Sequence, residues 1–297
     1  MNRPLLACVA AGVAVFVLLS PTTWGRSPPP SVPLPVAPPP PVGAGPSLAT
    51  LAPGFELGTF PLPIPSRLGP GSVTFVRVDP AVVDLEVRAA SLTDKRLRKA
   101  SEWGHSPEKA RAVAVINTSM FADDWLTSVG HLVVDGVAQN PRWAAQQNSL
   151  FVANPVGESG PRAAIVNLGC ADRDAVVGAW KTQVQSIRML GCGGENVWSQ
   201  QARSWSSALV GADNQGRILF LHTRAPYTMH DLVDLLLATP LDLVALHYGE
   251  GGPEASLYVR GPNVELREVG SYETGFLEND NNALEWELPN VLVAVAW

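Results

Sequence analysis

The chain has 297 residues, a formal net charge of −6 and 46% hydrophobic residues. A mildly acidic chain without a run of Lys or Arg lacks the electrostatic footprint of a nucleic-acid binder, so we expect no nucleic-acid partner. About 230 residues follow the proline-rich N-terminal part, which is enough for one domain with its own core.

The N-terminus has the pattern of an export signal. Arg3 provides a positive charge, and residues 5–19 form an apolar run. The run is short for a membrane-spanning helix and suits the hydrophobic region of a signal peptide. Because no small-x-small cleavage site follows, residues 1–20 are interpreted as either a signal peptide or an uncleaved signal anchor. We therefore expect an extracytoplasmic protein (secreted, periplasmic or membrane-anchored) that contacts a membrane only through this segment.

Residues 21–67 are rich in proline, with uninterrupted proline runs at 28–30 and 38–41. Proline lacks a backbone donor and favours the extended polyproline II conformation, so this segment is predicted to be a semi-rigid linker. The folded domain is then expected at residues 68–297.

Two cysteines, Cys170 and Cys192, lie beyond the expected export signal. An even pair in an oxidising compartment predicts a disulfide. Such a disulfide would add about 3 kcal/mol to stability in the chain-entropy model. The alternative is two separate buried thiols.

The folded part is predicted to consist mainly of short strands joined by tight turns. Residues 83–87 alternate apolar and charged side chains, and residues 73–78 are expected to be their antiparallel neighbour across a short turn. Ser106 and Pro107 predict the start of a short helix.

A hairpin turn is predicted at Asp135-Gly136. Thr228 predicts the N-cap of the one convincing helix, with Leu232 and Leu236 on its apolar face. Further strands are predicted at residues 112–116, 131–134, 148–153, 163–168, 207–211, 217–222, 241–248, 255–259 and 291–296. Many hairpins and few helices indicate an α+β fold with a mixed, mostly antiparallel sheet in a single domain.

Three motifs follow one another in a specific order. Residues 112–121 are a buried strand that ends in Asn-Thr-Ser-Met-Phe, residues 207–217 are a hairpin with Gly-x-Asp-x-x-Gly, and residues 228–256 are a helix, a strand and a Glu-Gly-Gly turn. From residue 72 to the C-terminus, this order resembles the phosphodiester glycosidase family. The corresponding family motifs are Asn-Gly-Gly-Phe-Phe, Arg-Thr-Ala-Ile-Gly-x-Asp-x-x-Gly and Asp-Gly-Gly-Gly-Ser.

The resemblance implies an exported hydrolase that cleaves the glycosidic bond of a sugar-1-phosphodiester in envelope or extracellular glycans. The implied partner is a carbohydrate or sugar-phosphate substrate. The alternative is a non-catalytic relative that binds glycan in a reshaped pocket. Five scattered histidines without zinc-ligand spacing predict no metal site, and no cofactor is expected.

The turn at residues 249–254 carries the main candidates for catalysis. Aligned on the family, Glu250 takes the place of the acidic residue, which implies a catalytic carboxylate, and Glu254 is the second candidate. Gly251 and Gly252 let a ligand approach the main chain and are candidate substrate-binding residues. The alternative is that both glutamates are solvated charges of a tight turn.

Further substrate-binding candidates are Asn117, Asp123 and Asp124. Asn117 ends a buried strand and could orient a sugar hydroxyl, and the alternative is a hydrogen bond that closes the strand. The two aspartates precede a tryptophan, as in a sugar-binding corner, and the alternative is an exposed acidic loop. Residues 270–278 are polar and aromatic and are interpreted as a surface loop, with a lid as the alternative.

A phosphodiester is usually bound by a guanidinium group, which can contact two oxygens at once. The arginine of the family motif falls on Ser207 in this chain. Arg203 is therefore a candidate substrate-binding residue, and Arg188 and Arg224 are further candidates.

Overall fold

The computed structural model describes residues 47–69, 71–105, 110–157 and 160–297. The expected export signal, the proline runs and the short helix expected from Ser106 lie outside the described residues.

The described residues form sixteen β-strands and three α-helices. The strands are β1 (Ser47–Ala52), β2 (Phe55–Pro61), β3 (Ser72–Val78), β4 (Asp84–Ala89), β5 (Ala112–Asn117), β6 (Leu132–Val134), β7 (Val137–Asn140), β8 (Ser149–Pro155), β9 (Ala163–Asn167), β10 (Trp180–Ser186), β11 (Trp205–Asp213), β12 (Ile218–Tyr227), β13 (Leu243–Gly251), β14 (Ser256–Gly261), β15 (Val264–Val269) and β16 (Asn290–Ala296). The helices are α1 (Ala100–Trp103), α2 (Arg173–Ala179) and α3 (Met229–Leu237). In this part of the chain, no helix is both long and apolar enough to cross a membrane.

The strands form three sheets. The first has the order β1-β2-β3-β12-β11-β13, the second β7-β6-β10-β8-β9 and the third β15-β14-β5-β16-β4. Every strand pair within the described ranges is antiparallel. The predicted α+β class, with mostly antiparallel sheets and few helices, is confirmed.

The main core contains residues from all three sheets. Val210 and Phe220 of the first sheet, Phe151 of the second, and Ile116 and Leu292 of the third are fully buried in one cluster. The buried strand predicted around residue 116 is therefore confirmed. These packed sheets provide a rigid base for the turns at the strand ends.

Helix α3 packs on the first sheet. The hydroxyl of Thr228 accepts the N–H of Asp231 at 3.1 Å, so the predicted N-cap is confirmed. Leu232 and Leu236 of the helix share a buried cluster with Leu246 of β13. The helix thus stabilises the strand that leads into the glycine-rich turn.

The prediction of a linker is wrong for the residues of β1 and β2. These strands form a hairpin, and β2 pairs with β3 along its whole length. Phe55 is fully buried and Phe60 is 8% exposed. Pro53 lies between the two strands and Pro61 is the last residue of β2, where a missing backbone donor is tolerated. The proline density therefore concealed two strands, and the folded domain includes β1.

Strands β3 and β4 are not neighbours, contrary to the sequence prediction. β3 pairs with β2 and β12 in the first sheet, whereas β4 pairs with β16 in the third. Between them the carbonyl of Asp79 accepts the N–H groups of Val82 and Val83 at 3.1 and 2.9 Å. Val83 is buried in the main core, which anchors the chain as it crosses between the sheets.

Candidate active site

A β-bulge at Gly249 shapes the end of β13. Ala208 of β11 pairs with Glu250, whereas the next residue, Leu209, pairs with Tyr248, so Gly249 is an extra residue in β13. A Cβ on Gly249 would lie 2.7 Å from the carbonyl oxygen of Ala208 and 2.8 Å from a second backbone carbonyl. Only glycine fits here, and the bulge changes the direction of the chain at Glu250.

Asn117, the last residue of β5, supports the turn that follows β13. Its side-chain amide donates to the carbonyl of Glu254 at 3.1 Å, and its side-chain oxygen accepts the N–H of Ser256 at 2.8 Å. The residue is only 2% exposed. This geometry matches the alternative of a structural hydrogen bond at the strand end rather than direct contact with substrate.

Three glutamates lie around Gly251 and Gly252. Gly252 has a φ of +66°, in the left-handed region that favours glycine. A Cβ on Gly252 would lie 2.5 Å from Glu273 Oε2 and 3.4 Å from Glu254 Oε2. Both carboxyl groups therefore lie close to this glycine and to each other. Glu250 Oε1 accepts the N–H of Gly251 at 3.0 Å. We call Glu250, Glu254 and Glu273 the glutamate cluster.

The pKa values of the glutamate cluster are raised. Burial raises the pKa of Glu250 to about 8, and the charge of Glu254 adds to this effect. Burial also raises the pKa of Glu254 to about 8, with a contribution from the charge of Glu273. Burial raises the pKa of Glu273, and the neighbouring Arg203 opposes this change. At neutral pH Glu250 and Glu254 are therefore largely protonated, and pKa values raised in this way are typical of groups that transfer protons in catalysis.

Aromatic side chains border the glutamate cluster. A Cβ on Gly251 would lie 2.4 Å from Tyr248 Oη and 2.7 Å from Trp205 Nε1, so glycine leaves room for both rings. Trp198 lies against Tyr248, with the ring centroids 5.5 Å apart. Trp198 and Trp205 are partly exposed, and sequence analysis identified neither. Apolar rings beside a few polar groups are typical of small-molecule sites.

Glu273 is a member of the cluster that sequence analysis missed, because its segment was interpreted as a surface loop. The structure instead joins this segment to the start of β11. The N–H of Ser206 donates to the carbonyl of Tyr272 at 2.9 Å, and the N–H of Thr274 donates to the carbonyl of Ser204 at 3.1 Å. The Glu273 side chain is 29% exposed. No sequence motif surrounds it, so its position depends on long-range pairing alone.

Arg203 is the predicted cation that the structure places beside the glutamate cluster. Its Nη2 lies 3.4 Å from Glu273 Oε1 and donates to the carbonyl of Thr274 at 3.2 Å. Ser207, at the arginine position of the family motif, is fully buried, and its Oγ lies 3.5 Å from the sulfur of Met229.

Arg188 and Arg224 are engaged elsewhere. Arg188 donates to Asn167 Oδ1 at 3.0 Å. Arg224 forms an ion pair with Asp280 at 2.8 Å and donates to the carbonyl of Val269 at 3.0 Å. Within the described residues, neither arginine forms an ion pair or hydrogen bond with the glutamate cluster.

Asp123 and Asp124 are not joined to the glutamate cluster by any hydrogen bond or ion pair of the described residues. Asp123 is exposed. The carboxylate of Asp124 accepts the N–H groups of Leu126 and Thr127 at 3.0 and 2.8 Å. Hydrogen bonds from Thr127 lower the pKa of Asp124. Asp124 therefore stabilises its own turn, which matches the alternative of an exposed acidic loop.

Two of the five histidines, His131 and His247, are held by neighbouring side chains and backbone groups. The ring nitrogens of His247 lie 3.1 Å from Ser149 Oγ and 3.0 Å from the carbonyl of Thr118. Burial lowers the pKa of His247 to about 4. His131 stacks on Trp143 with the ring centroids 4.2 Å apart. Over the described ranges, no group of three or more His, Cys, Asp or Glu side chains is arranged to hold a metal ion.

Cys170 and Cys192 form a disulfide, with Cα atoms 6.1 Å apart, as the sequence predicts. The segment before Cys192 lies along β13, where the N–H of Tyr248 donates to the carbonyl of Ile187 at 3.1 Å. The disulfide thus restrains the chain that continues to Trp198 at the edge of the site.

Comparison with known proteins places this geometry in context. The family model described as phosphodiester glycosidase matches residues 110–295. Among solved structures, the catalytic domain of zebrafish N-acetylglucosamine-1-phosphodiester alpha-N-acetylglucosaminidase, auto-inhibited by its pro-peptide, aligns with a TM-score of 0.56 and 12% identity, covering 85% of this chain and 87% of that chain. A hypothetical protein from Synechocystis aligns with a TM-score of 0.50 and 12% identity, covering 86% of this chain and 64% of that chain. At these identities the likeness shows a shared fold. No curated protein matches the sequence significantly.

Proposed function

The chain belongs to the phosphodiester glycosidase family, and we propose that it is an exported hydrolase that cleaves the glycosidic bond of a sugar-1-phosphodiester in envelope or extracellular glycans. The observation that carries this proposal is the meeting of Glu250, Glu254 and Glu273 around two glycines, beside the ring of Trp205. A sugar ring placed on the aromatic side would present its anomeric carbon to the carboxyl groups.

The proposed reaction is hydrolysis at the anomeric carbon. The ionised form of Glu250, whose share grows as the pH approaches 8, accepts a proton from a water molecule while the oxygen of that water attacks the anomeric carbon. The bond between this carbon and the phosphate oxygen breaks, and the phosphomonoester leaves with the electron pair. Glu254, which carries a proton at neutral pH, donates that proton to the departing oxygen. Phosphate leaves readily as an anion, so the reaction depends less on the proton from Glu254 than on the activation of water by Glu250.

The raised pKa values of the cluster suit an anionic substrate. A phosphodiester brought beside ionised carboxylates would be repelled, since like charges at close range are unfavourable. Burial keeps Glu250 and Glu254 largely protonated at pH 7. A neutral carboxyl group can instead donate a hydrogen bond to a phosphate oxygen.

The Cys170–Cys192 disulfide supports an extracytoplasmic location. Disulfides persist in oxidising compartments and are rare in the cytosol. The export-signal pattern at residues 1–20 leads to the same proposal.

A panel of sugar-1-phosphodiesters tests the proposal. The purified domain should release free reducing sugar and a phosphomonoester in equal amounts from at least one member. Glu250→Gln keeps the size of the side chain but removes the proton-accepting group, and should lower turnover by about 10²-fold or more. Glu265→Gln is a matched control, because it removes an exposed carboxylate that pairs with Arg267 on β15, outside the cluster, and should leave turnover near the wild-type value. Near-normal turnover in a folded Glu250→Gln variant would end the role proposed for Glu250.

A non-catalytic, glycan-binding relative is the second candidate. It is favoured by Ser207, which is buried at the position of the family arginine and cannot supply a guanidinium. Binding of glycan fragments by the purified domain, without cleavage of any panel member, would favour this second function.

A further inference from the structure

Ser207 stands at the arginine position of the family motif, so a different residue would have to bind the substrate phosphate. The Ser207 side chain is enclosed, and its hydroxyl contacts the carbonyl of Trp205 and the sulfur of Met229 at 3.4 and 3.5 Å. Arg188 and Arg224 donate instead to Asn167 and to the carbonyl of Val269, outside the glutamate cluster. A cation for the phosphate would then come from a residue other than these three.

Arg203 has the geometry of a cation that is available for binding. Its side chain is 60% exposed. Both of the hydrogen bonds that its guanidinium forms within the described residues, to Glu273 and to the carbonyl of Thr274, use the same nitrogen, Nη2. The rest of the fork remains open to a ligand, and a planar fork suits the paired oxygens of a phosphate.

We propose that Arg203 is the phosphate-binding residue of this site and that Glu273 occupies its guanidinium until the substrate phosphate replaces it. The contact between Arg203 and Glu273 is long, at 3.4 Å, and lies at the surface. Exposed ion pairs of this kind are weak, so a phosphate that accepts two hydrogen bonds can displace the carboxylate.

The two oxygens of Glu273 face different groups, and this difference suggests an orientation for the substrate. Oε1 faces Arg203, whereas Oε2 lies beside Gly252 and Glu254 Oε2. A phosphate that takes the place of Oε1 therefore lies on the exposed side of the cluster, and the sugar lies towards Glu250. In this orientation, the second ester substituent of the phosphate extends into solvent. This inference rests on the proposed function and extends it to diesters with a large second substituent.

Binding of inorganic phosphate tests the proposal without any need for turnover. Titrations followed by calorimetry at low ionic strength compare the wild type with Arg203→Gln, Glu273→Gln and the double variant. Arg203→Gln should weaken binding by about tenfold, because a charge-assisted contact is lost. Glu273→Gln should tighten binding several-fold, because the internal competitor of Arg203 is removed. The double variant should bind no better than Arg203→Gln.

Arg96→Gln is the matched control, since Arg96 is 68% exposed and pairs with Glu102 at 3.7 Å in a similar way. This variant should bind phosphate as the wild type does. Unchanged binding in Arg203→Gln, weaker binding in Glu273→Gln, or no binding by any variant would each overturn the proposal. Phosphate binding with the expected pattern but no hydrolysis in the panel would count against the proposed reaction and leave the role of Arg203 in place.

Discussion

The side chains of Glu254 and Glu273 meet at Gly252, although one belongs to the turn after β13 and the other to a segment attached to β11. The charge of Glu273 raises the pKa of Glu254, and the charge of Glu254 in turn raises the pKa of Glu250. The glutamates therefore titrate as a coupled group, so a substitution at one of them should change the pKa values of the others.

Replacing Glu254 with glutamine should shift the acidic limb of the pH–rate profile to lower pH. The charge of Glu254 adds to the effect of burial on the pKa of Glu250. Its removal lowers this pKa, so the proton-accepting form of Glu250 is present at lower pH. The alkaline limb should disappear, because no protonated Glu254 remains to lose its proton. The measurement is kcat/KM from about pH 5 to 10 on the substrate that the panel identifies. An acidic limb that stays in place would contradict the coupling.

The double substitution Glu250→Gln/Glu254→Gln should stabilise the protein in alkaline solution. Both carboxyls have a folded-state pKa of about 8, raised from 4.5. The folded state therefore binds protons more tightly than the unfolded state, and this contribution is lost as pH rises from about 4.5 through 8. The variant lacks these titrations, so its advantage over the wild type should grow as the pH rises from about 5 to 9.

Urea denaturation at several pH values measures this effect, and Glu265→Gln is its control. The hydrogen bond from Arg267 lowers the pKa of Glu265, so the Glu265 carboxylate does not destabilise the folded state as the pH rises. The Glu265 variant should gain no advantage as pH rises. If the free energy of unfolding of the double variant has the same pH dependence as that of the wild type, burial does not raise the pKa values of Glu250 and Glu254.

Removal of β1 and β2 should destabilise the domain. A chain that starts at residue 68 lacks the strand that covers β3 and loses the buried ring of Phe55. Loss of a buried Phe side chain alone costs about 3–5 kcal/mol, which is a large part of the stability of an ordinary domain.

Thermal denaturation of three chains separates the contributions of the two strands. A chain that starts at Ser47 should unfold as the full chain does. A chain that starts at Phe55 lacks only β1, which is exposed over most of its length, and should lose little. If the chain starting at residue 68 unfolds cooperatively at the same temperature as the Ser47 chain, the two strands are dispensable.

Removal of the disulfide should lower the free energy of unfolding by about 3 kcal/mol, the size expected in the chain-entropy model for a loop of this length. The cysteines are 22 residues apart in sequence. Urea denaturation of Cys170→Ser/Cys192→Ser measures the change, and reduced wild-type protein is the control that should match it. Equal stability of the oxidised wild type and the variant would show that the loop is held by other contacts.

Local patterns allowed much of the fold to be predicted. The Asp135-Gly136 turn lies between β6 and β7, and both residues have positive φ, at 48° and 85°. Thr228 caps α3, as predicted from the residues around it. Such signals depend on a few neighbouring residues. The partners of β3 and β4 depend on how the sheets pack, and the period of two in their sequences contains no information about that.

The candidate site shows the same division. Glu250 and Glu254 were found because they occupy a glycine-rich turn with a family motif. Glu273 and Trp205 were missed because neither belongs to a motif, and the pairing of their two segments brings them to the turn. The glycines were expected to admit a ligand, whereas the space at Gly252 is occupied by carboxylate oxygens of the site itself.

The central claim is that this domain breaks the bond between the anomeric carbon and the phosphate oxygen, with Glu250 acting on the attacking water. Hydrolysis of a reactive sugar-1-phosphodiester in water enriched in ¹⁸O, followed by mass spectrometry of both products, tests this claim most directly. We predict that the label enters the sugar and that the phosphomonoester stays unlabelled, with the rate greatly reduced in Glu250→Gln. Label in the phosphomonoester would show cleavage of the phosphorus–oxygen bond and contradict the account.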